Sequence, residues 1–245
     1  MDQTLIVGLY TKDFALLNKI TNKIKDKKIK LRHLDNLSSV GNDFQVLISK
    51  KRIKDCKIPQ VQPDNLDILE LKIRCKLYDC SDLVIGIDPG GMIGLSAIGA
   101  GRILFIDTYD KPSELALIVK SMHLEIGVKT IKIGSGSPPE RTRILDALKE
   151  YSGIIQLVNE QNSGSGSHTE AATRIALRQG EYNLDKKYQP KDGEISWIQK
   201  ESRRLSKGLV TIDKELAHEI LIGERTMDEA IKIYTKKMKI KLGTV

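Results

Sequence analysis

The sequence predicts an α/β protein in which helices flank a mixed β-sheet. A small α/β domain precedes this part, and short C-terminal helices follow it. Short β-branched runs alternate with segments whose apolar residues recur every three or four positions, which predicts alternating strands and helices. The turn Gly99-Ala100-Gly101 predicts a hairpin, so part of the sheet is antiparallel. Helical segments separate the later strands, which favours parallel pairing there.

The chain of 245 residues is long enough for two ordinary domains. We assign residues 1–78 to a small basic α/β domain, 81–206 to the mixed-sheet domain and 207–245 to a C-terminal helical extension. The first domain reads strand, helix, strand, strand, and no glycine-rich phosphate loop follows its first strand. The second reads β-β-β-α-β-α-β and then continues into helices.

Composition narrows the class of protein. No run of about 18 apolar residues exists, so no membrane span is predicted. The three cysteines form no Cys-x-x-Cys pair, which favours reduced thiols in a cytoplasmic protein over a disulfide framework or a zinc site. A net charge of +8 favours polyanionic partners, with a soluble protein that has a lysine-rich surface as the alternative. The region 1–80 holds 16 Lys and Arg against 10 Asp and Glu, so much of this charge lies there.

Asp88 is the strongest candidate for chemistry. It ends the strand 83–88 and precedes a Pro-Gly-Gly turn, so its carboxylate lies at the end of a sheet. Glycine permits the sharp turn and leaves space above the acid. A carboxylate in this position suits a hard divalent cation. The simpler interpretation is an aspartate that only begins a turn.

The segment Gly86-Ile87-Asp88-Pro89-Gly90, followed by Ile93-Gly94, resembles the first strand of RuvC-type Holliday-junction resolvases. The strand order downstream resembles both the RuvC and the YqgF families. The resemblance covers roughly half of the chain. It implies an RNase H-like mixed sheet and cleavage of nucleic acid by acidic residues that hold two divalent ions, Mg²⁺ or Mn²⁺. The expected partner is then nucleic acid, either DNA or RNA. The resemblance leaves undecided whether the protein forms a homodimer.

The resemblance also suggests the other ligands. RuvC enzymes carry a glutamate at the end of the fourth strand. This chain has Lys132-Ile133-Gly134 there, and YqgF proteins also have glycine at this place. YqgF proteins instead carry an acidic-acidic-Arg motif at the end of the fifth strand, where this chain has Asn159-Glu160-Gln161. Glu160 is therefore the second predicted catalytic and metal-binding residue. Neither the preceding acid nor the following arginine of that motif is present.

The last acid of both families begins a helix about thirty residues beyond the fifth strand. Glu194 fits that spacing best, Asp192 ranks next, and Glu170 is a weaker candidate because it comes too early. A carboxylate in a first helical turn also suits the helix dipole, which is the alternative for Glu194. Clustered carboxylates repel one another by roughly 4 kcal/mol at 4 Å, so bound cations would be needed to compensate them. His168 is a weaker candidate for moving a proton near this centre.

Basic side chains could contact phosphate. Arg141 and Arg143 lie at the start of a helix whose free N–H groups also attract anions. Arg203, Arg204 and Lys207 follow on a later helix, where a solvated charged face is the alternative. Trp197, the only tryptophan, is interpreted as a packing residue in preference to a base-stacking one.

Three functions compete at this point. The first is a divalent-metal-dependent nuclease that hydrolyses phosphodiester bonds in structured or branched nucleic acid. The second is a catalytically degenerate RNase H-like protein that only binds nucleic acid, which the missing fourth-strand acid favours. The third is a sugar-kinase or actin-like ATPase, but that fold needs two such domains and the region 1–78 does not supply a match.

Overall fold

The computed structural model describes residues 4–36, 43–159, 166–181, 190–222 and 224–241. The strands in this part of the chain are β1 (Leu5–Tyr10), β2 (Ile29–Leu34), β3 (Val46–Ser49), β4 (Gln60–Val61), β5 (Leu83–Asp88), β6 (Ile93–Gly99), β7 (Arg102–Tyr109), β8 (Val128–Gly134) and β9 (Ile155–Val158). The helices are α1 (Phe14–Lys23), α2 (Leu69–Leu77), α3 (Pro112–Glu125), α4 (Pro138–Ala147), α5 (His168–Leu177), α6 (Asp192–Leu205), α7 (Lys214–Leu221) and α8 (Met227–Lys241). None of these helices is long and apolar enough to cross a membrane.

The N-terminal sheet has four parallel strands in the order β2-β1-β3-β4. Its three longer strands and helix α1 agree with the sequence prediction. Asp13 caps α1, since its Oδ1 accepts a hydrogen bond from the backbone N–H of Leu16 at 3.0 Å. Strand β4 was not predicted, because a strand of two residues is too short to show a period.

The second sheet has five strands in the order β7-β6-β5-β8-β9. Strands β5, β6 and β7 are antiparallel neighbours, while β8 and β9 run parallel to β5. This confirms the predicted mixed sheet and C-terminal helices. Ala100 and Gly101 both have positive φ, 49° and 68°, as the tight turn of the β6–β7 hairpin requires.

Side chains of β5 alternate between the two faces of this sheet. Leu83, Ile85 and Ile87 are fully buried in a core shared with α3 and α4. Gly86 and Asp88 therefore point to the opposite face, which helix α5 covers. Because β5 is the central strand, Asp88 lies at the middle of the sheet's rim.

Helix α2 joins the two sheets because it contributes to both cores. Leu69 and Ile73 are buried against the N-terminal sheet, whereas Leu71 and Cys75 are buried in the core of the second sheet. Lys72 also forms an ion pair with Glu125 of α3 at 2.5 Å. The predicted boundary near residue 78 therefore follows a helix that belongs to both domains.

Helices α6, α7 and α8 share a separate apolar core. Ile198 of α6 is buried with Ile212, Leu216 and Ile220, and with Ala230 of α8. Helix α6 was predicted to end the mixed-sheet domain at residue 206. Its apolar residues instead pack with α7 and α8, so the C-terminal unit begins at α6.

We predict that Gly86→Ala destabilises the fold. A Cβ at Gly86 would lie well under 3.0 Å from the backbone of Ala172 and Ala176, so α5 would have to move away from the sheet. The expected loss is about 1–3 kcal/mol or more in the free energy of unfolding, measured by urea denaturation. The matched control is Gly153→Ala, whose Cβ would meet nothing within 4 Å. Equal stability of the two variants would contradict the proposed packing.

Candidate functional site

Asp88 and His168 form the centre of the site. Asp88 ends β5, and its side chain is 13% exposed. Oδ2 of Asp88 lies 3.0 Å from Nδ1 of His168, the first residue of α5. The imidazole is about half exposed, so the pair faces solvent at the sheet's rim. Oδ1 of the same carboxylate accepts no hydrogen bond from the described residues.

Glycines explain why α5 begins above Asp88. A Cβ at Gly94 would lie well under 3.0 Å from the backbone carbonyl of His168. A Cβ at Gly90 would lie 3.3 Å from the imidazole. The sequence predicted that the glycine turn leaves space above the acid. The structure places His168, a weaker candidate in the sequence, beside that turn.

Polar contacts hold α5 in register on the sheet. Thr173 Oγ1 donates to Oγ of the fully buried Ser96 at 3.0 Å. At the other end of the helix, Lys132 Nζ donates to the carbonyls of Ala176 and Arg178 at 2.9 and 2.5 Å. Burial lowers the pKa of Lys132. Lys132, which lies within β8, thus anchors the helix that carries His168.

The remaining predicted acids do not join Asp88 in a cluster within the described residues. Oε2 of Glu170 accepts from the backbone N–H of Ser167 at 3.1 Å, and Oε2 of Glu194 accepts from that of Lys191 at 2.8 Å. Both glutamates therefore cap the start of their own helices. Asp192 is exposed in the first turn of α6. Glu160 lies outside the described residues.

The positions of these side chains determine which described residues could bind a metal ion. Among the described residues no three His, Cys, Asp or Glu side chains lie close enough together to hold a metal ion. Of the predicted site residues that the structure describes, Asp88 and His168 are in direct contact.

A groove runs between the Asp88 turn and the C-terminal helices. Its volume is about 550 Å³, and Gly91, the start of α4 and the exposed side of α6 line it. Glu194 lines this groove together with Gly91 of the turn that follows Asp88. Trp197 also lines the groove with 61% of its surface exposed. The interpretation of Trp197 as a packing residue was therefore wrong.

Most of the predicted phosphate-binding side chains have partners within the protein. Arg141 Nη1 donates to the carbonyl of Ser135, and Arg143 Nη2 donates to that of Arg225, both at 2.8 Å. The Arg143 contact connects α4 to the C-terminal helices. Arg204 pairs with Glu201, whereas Arg203 and Lys207 are exposed.

Comparison with known proteins gives one partial match. Residues 191–236 match the family model of a "Three helical bundle domain". This range covers α6, α7 and most of α8, in agreement with their separate core. Searches of curated proteins and of solved structures found no significant match.

We predict that Lys132→Met loosens α5. The variant removes the donors to two carbonyls at the helix end, which costs roughly 1–3 kcal/mol in the free energy of unfolding. Urea denaturation monitored by circular dichroism measures this loss. Lys129→Met, an exposed position on the same strand, is the control. An unchanged midpoint for Lys132→Met would show that this anchor does not contribute.

Proposed function

We propose that this protein is a divalent-metal-dependent nuclease with an RNase H-like central domain, acting on structured or branched nucleic acid. The observation that carries the proposal is the pairing of Asp88 with His168 at the rim of the central strand. Support also comes from the mixed sheet, in which three antiparallel strands are followed by two parallel ones. The motif around Asp88 resembles the first strand of RuvC-type enzymes.

The described residues fit a divalent ion in part. Oδ1 of Asp88 is a hard oxygen donor at a solvent-accessible rim, and imidazole nitrogen is a second common ligand type. Further carboxylates would have to come from Glu160, or from Glu194 after it leaves its capping contact. When bound, Mg²⁺ or Mn²⁺ supplies an activated water and stabilises the leaving oxygen.

Asp88, His168 and the residues that hold α5 would then have separate roles in the reaction. Asp88 would hold the ion, and the exposed imidazole of His168 could accept a proton from the attacking water. Lys132 and the glycine contacts keep α5 fixed, so that the imidazole stays beside the carboxylate. The net charge of +8 draws the polyanionic substrate to the surface.

A degenerate RNase H-like domain that binds nucleic acid without cutting it is the second candidate. Glu170 and Glu194 both use a carboxylate oxygen in helix capping. His168 uses one oxygen of Asp88. These contacts would stabilise the site without cations, which favours a structural role for the residues around Asp88.

We predict that Asp88→Asn abolishes cleavage. The purified protein is incubated with labelled branched DNA and with structured RNA, with Mn²⁺, with Mg²⁺ and with EDTA. The expected result is cleavage that requires the ion and falls at least about a hundredfold in Asp88→Asn, because the neutral amide binds hard cations poorly. The control is Asp110→Asn, an exposed position after β7.

This assay distinguishes the nuclease from the domain that binds nucleic acid without cutting it. Cleavage by the parent protein that persists in Asp88→Asn would overturn the assignment of Asp88. Metal-independent binding without cleavage by the parent protein would identify the degenerate domain.

We also predict that Arg203→Gln weakens nucleic-acid binding in a salt-dependent way. Arg203 is exposed on α6, so the loss of one phosphate contact should reduce the slope of log K against log salt by about 1. Fluorescence anisotropy at several salt concentrations measures it. Lys19→Gln, exposed on α1, is the charge-matched control. Identical slopes for both variants would exclude Arg203 from the binding surface.

A further inference from the structure

The groove between the Asp88 turn and α6 contains an unusual exposed side chain. Trp197 is the only tryptophan of the protein, and 61% of its surface is exposed although it lines a groove. Exposing a large aromatic ring forfeits the free energy of its burial, so an indole in a groove commonly marks a contact site. Pro138, Pro139 and Met227 add apolar surface around it.

The charges in the groove argue against phosphate as its occupant. Its three glutamates are Glu140, Glu194 and Glu201. Glu140 lies 3.8 Å from Arg143, and Glu201 pairs with Arg204. These pairs leave the groove without excess positive charge. An uncharged planar group fits this mixture of apolar surface and carboxylate acceptors better than an anion does.

Positive charge lies instead along the helix that carries Trp197. Lys200 and Arg204 follow Trp197 at three and seven residues, which places them on the same side of α6. Both side chains are exposed. An aromatic platform with neighbouring cations along one helix is the arrangement that binds single-stranded nucleic acid: the bases stack, and the cations follow the backbone.

Gly91 connects this groove to the candidate active site. Gly91 lines the groove and follows Asp88 by three residues, a stretch that spans at most about 11 Å. No Cβ contact within 4 Å surrounds Gly91, so the wall is open at this point. The groove that Trp197 lines therefore extends to the turn that follows Asp88.

We propose that Trp197 stacks on an unpaired base of the nucleic-acid substrate and that the groove accepts that base. This inference rests on the proposed function, and it specifies that the substrate is single-stranded or unpaired next to the cleavage position. Lys200 contacts a phosphate that flanks the stacked base, and Arg204 does so when it exchanges its pairing with Glu201 for a phosphate.

The single tryptophan allows a direct test in the full-length protein. Its fluorescence is titrated with a single-stranded oligonucleotide and with an abasic oligonucleotide of the same length and charge, while anisotropy reports total binding. We expect quenching by the first alone. Trp197→Ala should weaken binding of the base-containing strand roughly 5- to 100-fold, and Trp197→Phe should recover part of this loss.

Phe14→Ala is the control, since Phe14 is 77% exposed on α1 and does not line the groove. Equal quenching by the abasic strand, or binding without quenching, would overturn the stacking proposal. Stacking without any metal-dependent cleavage would reject the nuclease function while supporting the base site. Cleavage that Trp197→Ala leaves unchanged, with unchanged binding, would reject the base site alone.

Discussion

The close approach of α5 to strands β5 and β6 is the contact on which the candidate site depends. Gly86 and Gly94 leave no side chain between the helix backbone and the sheet, and Ala172 and Ala176 complete the interface. This approach sets the position of the first residue of α5, and thereby brings His168 within hydrogen-bond distance of Asp88. A larger side chain at either glycine would separate the two groups that define the site.

Hydrogen bonds fix the register of α5 on the sheet, in addition to the close packing. The contact of Thr173 with the buried Ser96, and the bonds from Lys132 to the helix end, act at different points along α5. A helix packed through small residues alone could shift along the sheet, because glycine and alanine have no large side chains that interdigitate with it. Hydrogen bonds to buried partners make such a shift costly. The backbone of His168 is therefore held at the end of β5, next to Asp88.

The C-terminal helices contribute the second wall of the region around Asp88. Arg143 donates to the carbonyl of Arg225, which connects α4 with the α7–α8 turn, and α6 then faces the Asp88 turn across the groove. The family match over residues 191–236 agrees with a separate bundle of this kind. The groove between the sheet's rim and the helical bundle is thus lined by an exposed indole and by Gly91 of the turn that follows Asp88.

The sequence by itself determined the order and type of nearly all the elements and the position of Asp88 at a strand end, because the periodicity of apolar residues and the glycine turns are local signals. Only the tertiary structure decided which groups meet. The resemblance to the resolvase families suggested Glu160 and Glu194 as the acids beside Asp88. Glu160 lies outside the described residues, α6 packs its apolar residues with α7 and α8, and His168 is the residue in contact with Asp88. Such pairings depend on how closely helices and strands approach, and that distance is fixed by residues such as Gly86 and Ala172 that lie far apart in the chain.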